Sequence, residues 1–189
     1  MTHMIKIIRL FLIIFISISF PVKADLNDNL KKQLKNGGNL IFIRHAYAPG
    51  GGDPDNFIIS NCSTQRNLNE DGKKQSTKIG QFFIKNNILI DKVLSSEWCR
   101  CKDTAKIAFD RFETKNFLNS FFSSKFASNK NQQIRDLKEY IKNWESDKNL
   151  VLVTHYVLIT EVLNYSPSSG EIVISDKNFK VIDSFKIEY

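Results

Sequence analysis

Three short, unbroken apolar runs, each stopping abruptly at polar residues, constrain this chain more than any other feature. Leu40-Ile41-Phe42-Ile43 stops at Arg44-His45, Val93-Leu94 at Ser95-Ser96, and Leu150-Val151-Leu152-Val153 at Thr154-His155. Such runs are too short for helices and lack the alternation of a half-solvated strand, so they suit strands covered on both faces. The segments between them carry helical spacing. Asn69 is a helix N-cap, Glu70 and Asp71 place negative charge in the first turn, and Ile79, Phe82 and Phe83 mark one face as far as about residue 85. A second helix opens near Trp98 with Cys101, Ala105 and Ala108 on one side, and a third, over 132–145, carries Ile134, Leu137, Ile141 and Trp144. Residues 111–130 are irregular in pattern and rich in Phe, a short helix follows His155, and residues 171–175 and 180–185 form a terminal hairpin. Alternating strands and helices predict an α/β fold: a three-layer sandwich with a mostly parallel central sheet flanked by helices, closed by a C-terminal β-hairpin. In such sheets ligands lie beyond the carboxyl ends of the strands, where the polar pairs fall.

The first two dozen residues belong to a different kind of segment. Lys6 and Arg9 precede an apolar run from Leu10 to Phe20, Pro21 ends it, and Val22-Lys23-Ala24 has small-x-small cleavage spacing. At about 1.5 Å per residue that run covers only about half of a hydrocarbon core of about 30 Å. Residues 1–24 are therefore expected to be a cleaved secretory signal rather than an anchor, leaving one domain over 25–189, periplasmic or secreted, with no stable membrane insertion. Cleavage lowers 27 basic residues to 24 against 20 acidic ones, a net charge of +4. That excess suits a small anionic ligand and equally a lysine-rich solvated surface. No dense basic block interleaved with aromatics supports nucleic-acid binding. Nothing in the sequence sets the oligomeric state.

Of the three cysteines, Cys62, Cys99 and Cys101, an exported chain is expected to pair two and leave one. A CxC pair closes on itself poorly, so Cys62 bridges Cys99 or Cys101. A metal site has weaker support, because no His or second Cys pair stands at ligand spacing. Beyond residue 24 there are two histidines, His45 and His155, and each follows an apolar run directly.

Taken in order, Arg44-His45-Ala46, Leu68-x-x-x-Gly72-x-x-Gln75, Ser95-Ser96-x-x-x-Arg100-x-x-x-Thr104-Ala105 and Val153-Thr154-His155 resemble the motifs of the histidine phosphatase superfamily, the phosphoglycerate mutase-like fold. Details such as Cys62-x-x-Gln65-Arg66-Asn67-Leu68 and Trp98-Cys99-Arg100-Cys101 resemble a bacterial periplasmic branch. The resemblance covers about residues 39–175 and implies roles. His45 matches the nucleophile that forms a phosphohistidine. Arg44 and Arg100 match the two arginines that clamp the phosphoryl group. His155 matches the second histidine, which donates to the phosphoryl oxygens. Neither a cofactor nor a metal is implied, and the partner is a small phosphorylated substrate. Arg66 is an outer substrate contact or a surface arginine. A Cys62–Cys99 bridge would tie the loop after the nucleophile to the residue beside Arg100, or merely staple the domain. The helix near Trp98 is expected to aim backbone N–H groups at the pocket.

Two departures from the pattern stand out. Ala46 replaces the usual Gly after the nucleophile, which would be strained if that position required a positive φ. The proton donor is unassigned: Ser120 falls near the position where one branch carries Glu, and Tyr156 stands where another carries Asp. Asp53, Asp55, Glu97 and Glu113 are available but read as surface charge. The expected function is an exported phosphomonoesterase. The alternative is a phosphate- or phosphosugar-binding module that keeps the clamp and has lost turnover. The glycine-rich loop 49–54 and the Phe-rich segment 111–130 either shape the mouth of the pocket or cover core.

Overall fold

The structure, a computed structural model, describes residues 28–189; the expected signal segment 1–24 and its cleavage site lie outside the described residues. Among these residues the sheet has six strands: β1 (Leu40–Arg44), β2 (Ile90–Ser95), β3 (Glu113–Thr114), β4 (Asn149–Thr154), β5 (Glu171–Ser175) and β6 (Val181–Lys186). Their order is β3-β2-β4-β1-β5-β6, and only the β1–β5 and β5–β6 pairings are antiparallel. The helices are α1 (Asp28–Asn36), α2 (Glu70–Lys85), α3 (Cys99–Phe109), α4 (Lys130–Lys142) and α5 (Tyr156–Leu163).

The period of two along each strand divides the core into two halves. Ile41, Ile43, Val93, Val151, Val153, Ile172 and Ile174 pack on one face with Leu30 and Leu34 of α1, Ile79 and Phe83 of α2, and Ala105 and Ala108 of α3. Leu40, Phe42, Leu94, Leu150, Leu152 and Val173 face the other side, against Leu137 and Ile141 of α4 and Leu158, Ile159 and Leu163 of α5. Burial on both faces explains why β1 and β4 are continuous apolar runs. The expected three-layer α/β sandwich with its terminal hairpin is what forms.

The differences are local. Helix α1 was not expected, since Leu30 and Leu34 alone mark its buried stripe. Strand β2 extends beyond Val93-Leu94 to Ile90, because Ile90 and Lys92 pair with Asn149 and Leu150 around a bulge. The segment 111–130 is not wholly irregular: Glu113 and Thr114 extend the sheet beside Leu94 and Ser95. Helix α4 stops at Lys142, and Trp144 packs beyond it with its indole N–H donating to Asp91 at 2.9 Å. No described helix is long and apolar enough to cross a membrane.

Parallel register positions the site. Arg44 of β1 lies opposite Thr154 of β4, and Ser95 of β2 lies opposite Val153. The ladder continues one step past the strand ends, with His45 N–H bonding Thr154 O at 2.9 Å and Ser96 N–H bonding Val153 O at 3.0 Å. Three polar strand ends are thereby brought side by side at one edge. The crossovers also part there: β1 crosses to β2 through α2 on one face, while β4 leads through α5 on the other toward β5, a switch point that leaves a crevice.

Candidate functional site

That crevice is a cleft of about 440 Å³ lined by Arg44, His45, Asp53, Arg66, Arg100 and His155, among others. A larger open groove of about 690 Å³ near Trp144 contains none of His45, His155, Arg44 and Arg100, and size does not make it the site. All four residues expected to do chemistry, Arg44, His45, Arg100 and His155, thus meet in one place, and Arg66 joins them.

The His45 ring is held in one tautomer. Its Nδ1 lies 2.8 Å from the carbonyl oxygen of Ala46, which can only accept, so Nδ1 carries the proton and Nε2 keeps its lone pair. Arg100 Nε donates to that lone pair at 3.2 Å. His45 is only 2% exposed. Burial, and then the positive charge of Arg100 with smaller contributions from Arg66 and Arg44, push its pKa well below 6.5, although the bond to the Ala46 carbonyl pulls the other way. The result is a neutral imidazole in a cationic pocket, its unprotonated Nε2 facing the Arg100 guanidinium. Ala46 causes no strain: it is fully buried, its φ is not positive, and its N–H donates to Thr104 Oγ1 at 3.0 Å.

His155 caps α5 and is likewise 2% exposed, its ring centroid 5.6 Å from that of His45. Burial first, then Arg100 and His45, lower its pKa well below 6.5. Its Nε2 lies 2.9 Å from the Ser96 hydroxyl, which is 3.0 Å from Asn119 Oδ1; Asn119 Nδ2 in turn donates to Glu97 at 2.6 Å. Glu97 is therefore not idle surface charge but the far end of a chain of hydrogen bonds that holds His155. Cys101 Sγ, 3.5 Å from the same ring nitrogen, is fully buried, and burial pushes its thiol up to about 12, so it stays protonated.

Two buried neutral imidazoles make stability depend on pH in a definite direction. The unfolded chain takes up their protons near pH 6.5 whereas the folded chain resists, so stability is full above 6.5 and falls as pH drops toward the lowered folded values. The expected slope is about 1.4 kcal/mol per pH unit for each histidine. Thermal melts between roughly pH 6.5 and 5 should show it, and His155→Gln should flatten it; a melting temperature constant over that range would contradict the buried neutral state.

Arg44 Nη1 donates to Pro167 O at 2.9 Å, and its guanidinium lies 5.3 Å from the Tyr156 ring centroid. Its Nε is buried and is one of three such side-chain atoms without a hydrogen-bond partner among the described residues. A buried guanidinium donor left unpaired at the wall of a cleft is a ready contact for an anion. Arg100 is 3% exposed and makes four hydrogen bonds from its five N–H donors, with one Nη2 N–H left over. Besides His45 it grips Asp53, through Nη1 at 2.7 Å and Nη2 at 3.2 Å, and it reaches Arg66 O at 3.3 Å.

Asp53 corrects the sequence reading. It is not surface charge: it lies in the cleft, where its carboxylate also accepts from the Trp98 indole at 2.9 Å and the Arg66 N–H at 3.0 Å. Burial alone would raise its pKa, but the bonds and charge of Arg100, with Trp98 and Arg66, outweigh burial and hold it below 3.8. Asp55 and Glu113 are exposed as expected, although Asp55 reaches the rim of the cleft. Ser120 lines the cleft as well and is 8% exposed. Arg66 spends its guanidinium on the carbonyls of Gly52 (2.9 Å) and Ala48, bracing the loop while lining the pocket.

The remaining motif residues hold that loop in place. A side chain at Gly72 would come 2.0 Å from the Tyr47 carbonyl, so only glycine lets α2 pack there. Gln75 accepts from the Tyr47 N–H at 2.9 Å and donates to Ser169 O at 3.0 Å. Gln65 accepts from Cys99 N–H at 2.9 Å, and Cys101 and Lys102 direct their N–H groups to Trp98 O. The start of α3 therefore contributes the Arg100 side chain; the expectation that its backbone amides aim into the pocket fails at these three. Cys62 and Cys99 form the disulfide, with Cys101 free and buried. Because 37 residues separate the pair, closing the loop is worth about 3–4 kcal/mol through the unfolded state. Cys62→Ser, or reductant added to the unaltered protein, should lower the melting temperature accordingly; no shift would show that the loop is ordered without the bridge.

Solved structures share this architecture. The protein histidine phosphatase SixA, in complex with tungstate, superposes with a TM-score of 0.55 at 14% identity over 78% of this chain and 96% of that one. An Escherichia coli K-12 protein described as a candidate α-ribazole-5′-phosphate phosphatase gives 0.58 at 16%, over 80% and 99%. TTHB049 from Thermus thermophilus gives 0.55 at 12%, over 78% and 99%. The chain has the fold of these proteins. No protein-family model matches the sequence, and no curated protein does.

Proposed function

We propose that this chain is an exported phosphomonoesterase working through a phosphohistidine on His45. The observation that carries the proposal is the unprotonated Nε2 of a neutral, buried imidazole, which accepts a 3.2 Å bond from Arg100 Nε and is set among Arg44, Arg100 and His155 at the carboxyl ends of β1 and β4. As Arg100 Nε–H turns from Nε2 to a phosphoryl oxygen, Nε2 attacks phosphorus, and the N–P bond forms as the ester P–O bond breaks. The leaving oxygen departs as an alkoxide or phenoxide, or takes a proton. Water then attacks phosphorus, the N–P electron pair returns to Nε2, and inorganic phosphate is released. Arg44 and Arg100 hold the phosphoryl oxygens, and His155 stands beside them as charge spreads outward. Arg66 shapes the wall. Export is supported by the N-terminal segment and by the Cys62–Cys99 bridge, a linkage that persists in oxidising compartments.

The test is to trap the intermediate. Protein quenched during turnover of a labelled phosphate ester should carry acid-labile, alkali-stable label on the peptide that contains His45. One observation favours the second reading, a phosphate-binding module. The Asp53 carboxylate already sits in the Arg100 fork and is ionised, so it is not a ready proton donor. Phosphate binding with neither label nor turnover from roughly pH 5 to 8 would decide for that module.

A further inference from the structure

The cleft is graded from bottom to mouth. At the bottom lie His45, Arg100 and His155, none more than 3% exposed; at the rim Phe122 is 60% exposed, a large ring left in water beside a charged pocket. Phe122 leans on Tyr156 at 5.9 Å between centroids, and Tyr156 in turn lies beneath the Arg44 guanidinium. The adjoining wall is a packed aromatic group: Phe57 stacks on Trp98 at 5.0 Å, and Phe126 meets both edge-on at 5.6 and 5.4 Å. Phe57 and Phe126 remain partly open to the cleft. Isolated exposed apolar residues are ordinary, but one that continues an aromatic wall into a pocket mouth is a place for a ligand's apolar face.

A second, independent observation concerns the leaving group. Two carboxylates, Asp53 and Asp55, line the cleft among the described residues. Asp53 is committed to Arg100, Trp98 and the Arg66 amide, and Asp55 is exposed at the rim. An alkoxide leaves badly without a proton, whereas a phenoxide is stable enough to leave as the anion.

Resting on the phosphatase reading above, we infer that the substrate is an aryl phosphate, a phenolic monoester whose ring lies against Phe122 and Tyr156 while its phosphoryl group reaches His45. The phosphoryl group must descend to the buried end, so the remainder of the ester occupies the mouth, where the rings stand. In the first step the P–O(aryl) bond breaks as N–P forms, and the phenoxide carries the electron pair away and is protonated in solvent. The phenol is free or borne on a tyrosine side chain.

The experiment compares kcat/KM for phenyl phosphate, a phosphotyrosyl peptide and glycerol phosphate, in the mature protein and in Phe122→Ala and Phe122→Tyr. Phenyl phosphate should exceed glycerol phosphate by about 10²- to 10⁴-fold, the contribution of a positioned acid that an alkyl ester would need. Across substituted phenyl phosphates the rate should climb steeply as the phenol becomes more acidic. Phe122→Ala should reduce the aryl-to-alkyl ratio about three- to tenfold, and Phe122→Tyr, which keeps the ring, should restore it. A peptide favoured over phenyl phosphate assigns the phenol to a protein, and the reverse to a small molecule; either supports the inference. Glycerol phosphate turned over within tenfold of phenyl phosphate, or a ratio indifferent to Phe122→Ala, overturns it and leaves the phosphatase standing. Absence of turnover and of phosphoenzyme with every ester overturns the phosphatase reading as well.

Discussion

His45→Ala is expected to remove turnover almost completely, by about 10⁴- to 10⁶-fold in kcat, while leaving phosphate binding within about tenfold. On the proposed mechanism the substitution removes the nucleophile and with it the covalent route, which is why the expected effect exceeds that of any single hydrogen bond. Binding persists because the cations of Arg44, Arg66 and Arg100 stay where the β1 end, the 46–68 loop and α3 hold them. The substitution opens a small cavity and frees both Arg100 Nε and the Ala46 carbonyl, so a modest stability loss is expected and a melt must accompany the kinetics. His45→Gln is the control for volume. Substantial residual turnover in a folded His45→Ala protein would remove the phosphohistidine from the mechanism. Loss of phosphate binding together with turnover would show that the ring instead organises Arg100.

How much of this was legible in the chain depends on the range of the interaction. The central strands were, because burial on both faces leaves its mark residue by residue in runs such as Leu150-Val151-Leu152-Val153. The meeting of His45 and His155 was legible too, since parallel strands ending in polar residues place those residues at one edge, and the register Arg44–Thr154 does so. Helix α1 was missed because an i, i+4 pair of leucines is too sparse a stripe to distinguish from coil. Strand β3 was missed because two exposed residues, Glu113 and Thr114, leave no apolar pattern. The cysteine pairing was open until the faces of α3 were known. Cys101 points into the core beneath the sheet and Cys99, two positions earlier and so on another face, meets the loop that carries Cys62.

Asp53 was misjudged for a different reason. Nothing periodic surrounds it, and acidic residues in Gly/Pro-rich loops are usually solvated. Its partners come from far along the chain: Arg100 and Trp98 stand more than forty positions away. The one local signal was its place after Gly50-Gly51-Gly52, a loop in which Gly50 and Gly52 adopt φ of 86° and 72° and bring the backbone close to the site. Long-range ion pairs of this kind leave no trace in composition or period. The Glu97–Asn119–Ser96–His155 chain was hidden in the same way.

The Arg100–Asp53 pair also sets up the second large effect, because the proposed function gives Arg100 a catalytic task beside its structural one, and substitution can separate the two. Arg100→Ala is expected to lower kcat/KM by about 10³-fold through loss of a preorganised cation at the transferring phosphoryl group. It should also destabilise the fold by about 3–5 kcal/mol, since the guanidinium's side chain is 4% and the carboxylate's 16% exposed, and removing one partner leaves the other charge uncompensated. The double variant Arg100→Ala/Asp53→Asn removes that stranded charge but keeps one acceptor oxygen for the two donors Trp98 Nε1–H and Arg66 N–H, so stability should return in part while activity does not. Arg100→Lys keeps one positive charge but cannot serve His45 Nε2, both Asp53 oxygens and Arg66 O from a single ammonium, so activity should recover only in small part. Asp53→Asn alone breaks the ionic fork and frees the Nη donors from a competing anion, so phosphate should bind more tightly than in the unaltered protein. If the double variant regained both stability and activity, Arg100 would be a structural counter-ion and the clamp would rest on Arg44 and Arg66. If it regained neither, the ion pair would not be what destabilises Arg100→Ala, and the cost would lie in the packing of α3 against the loop.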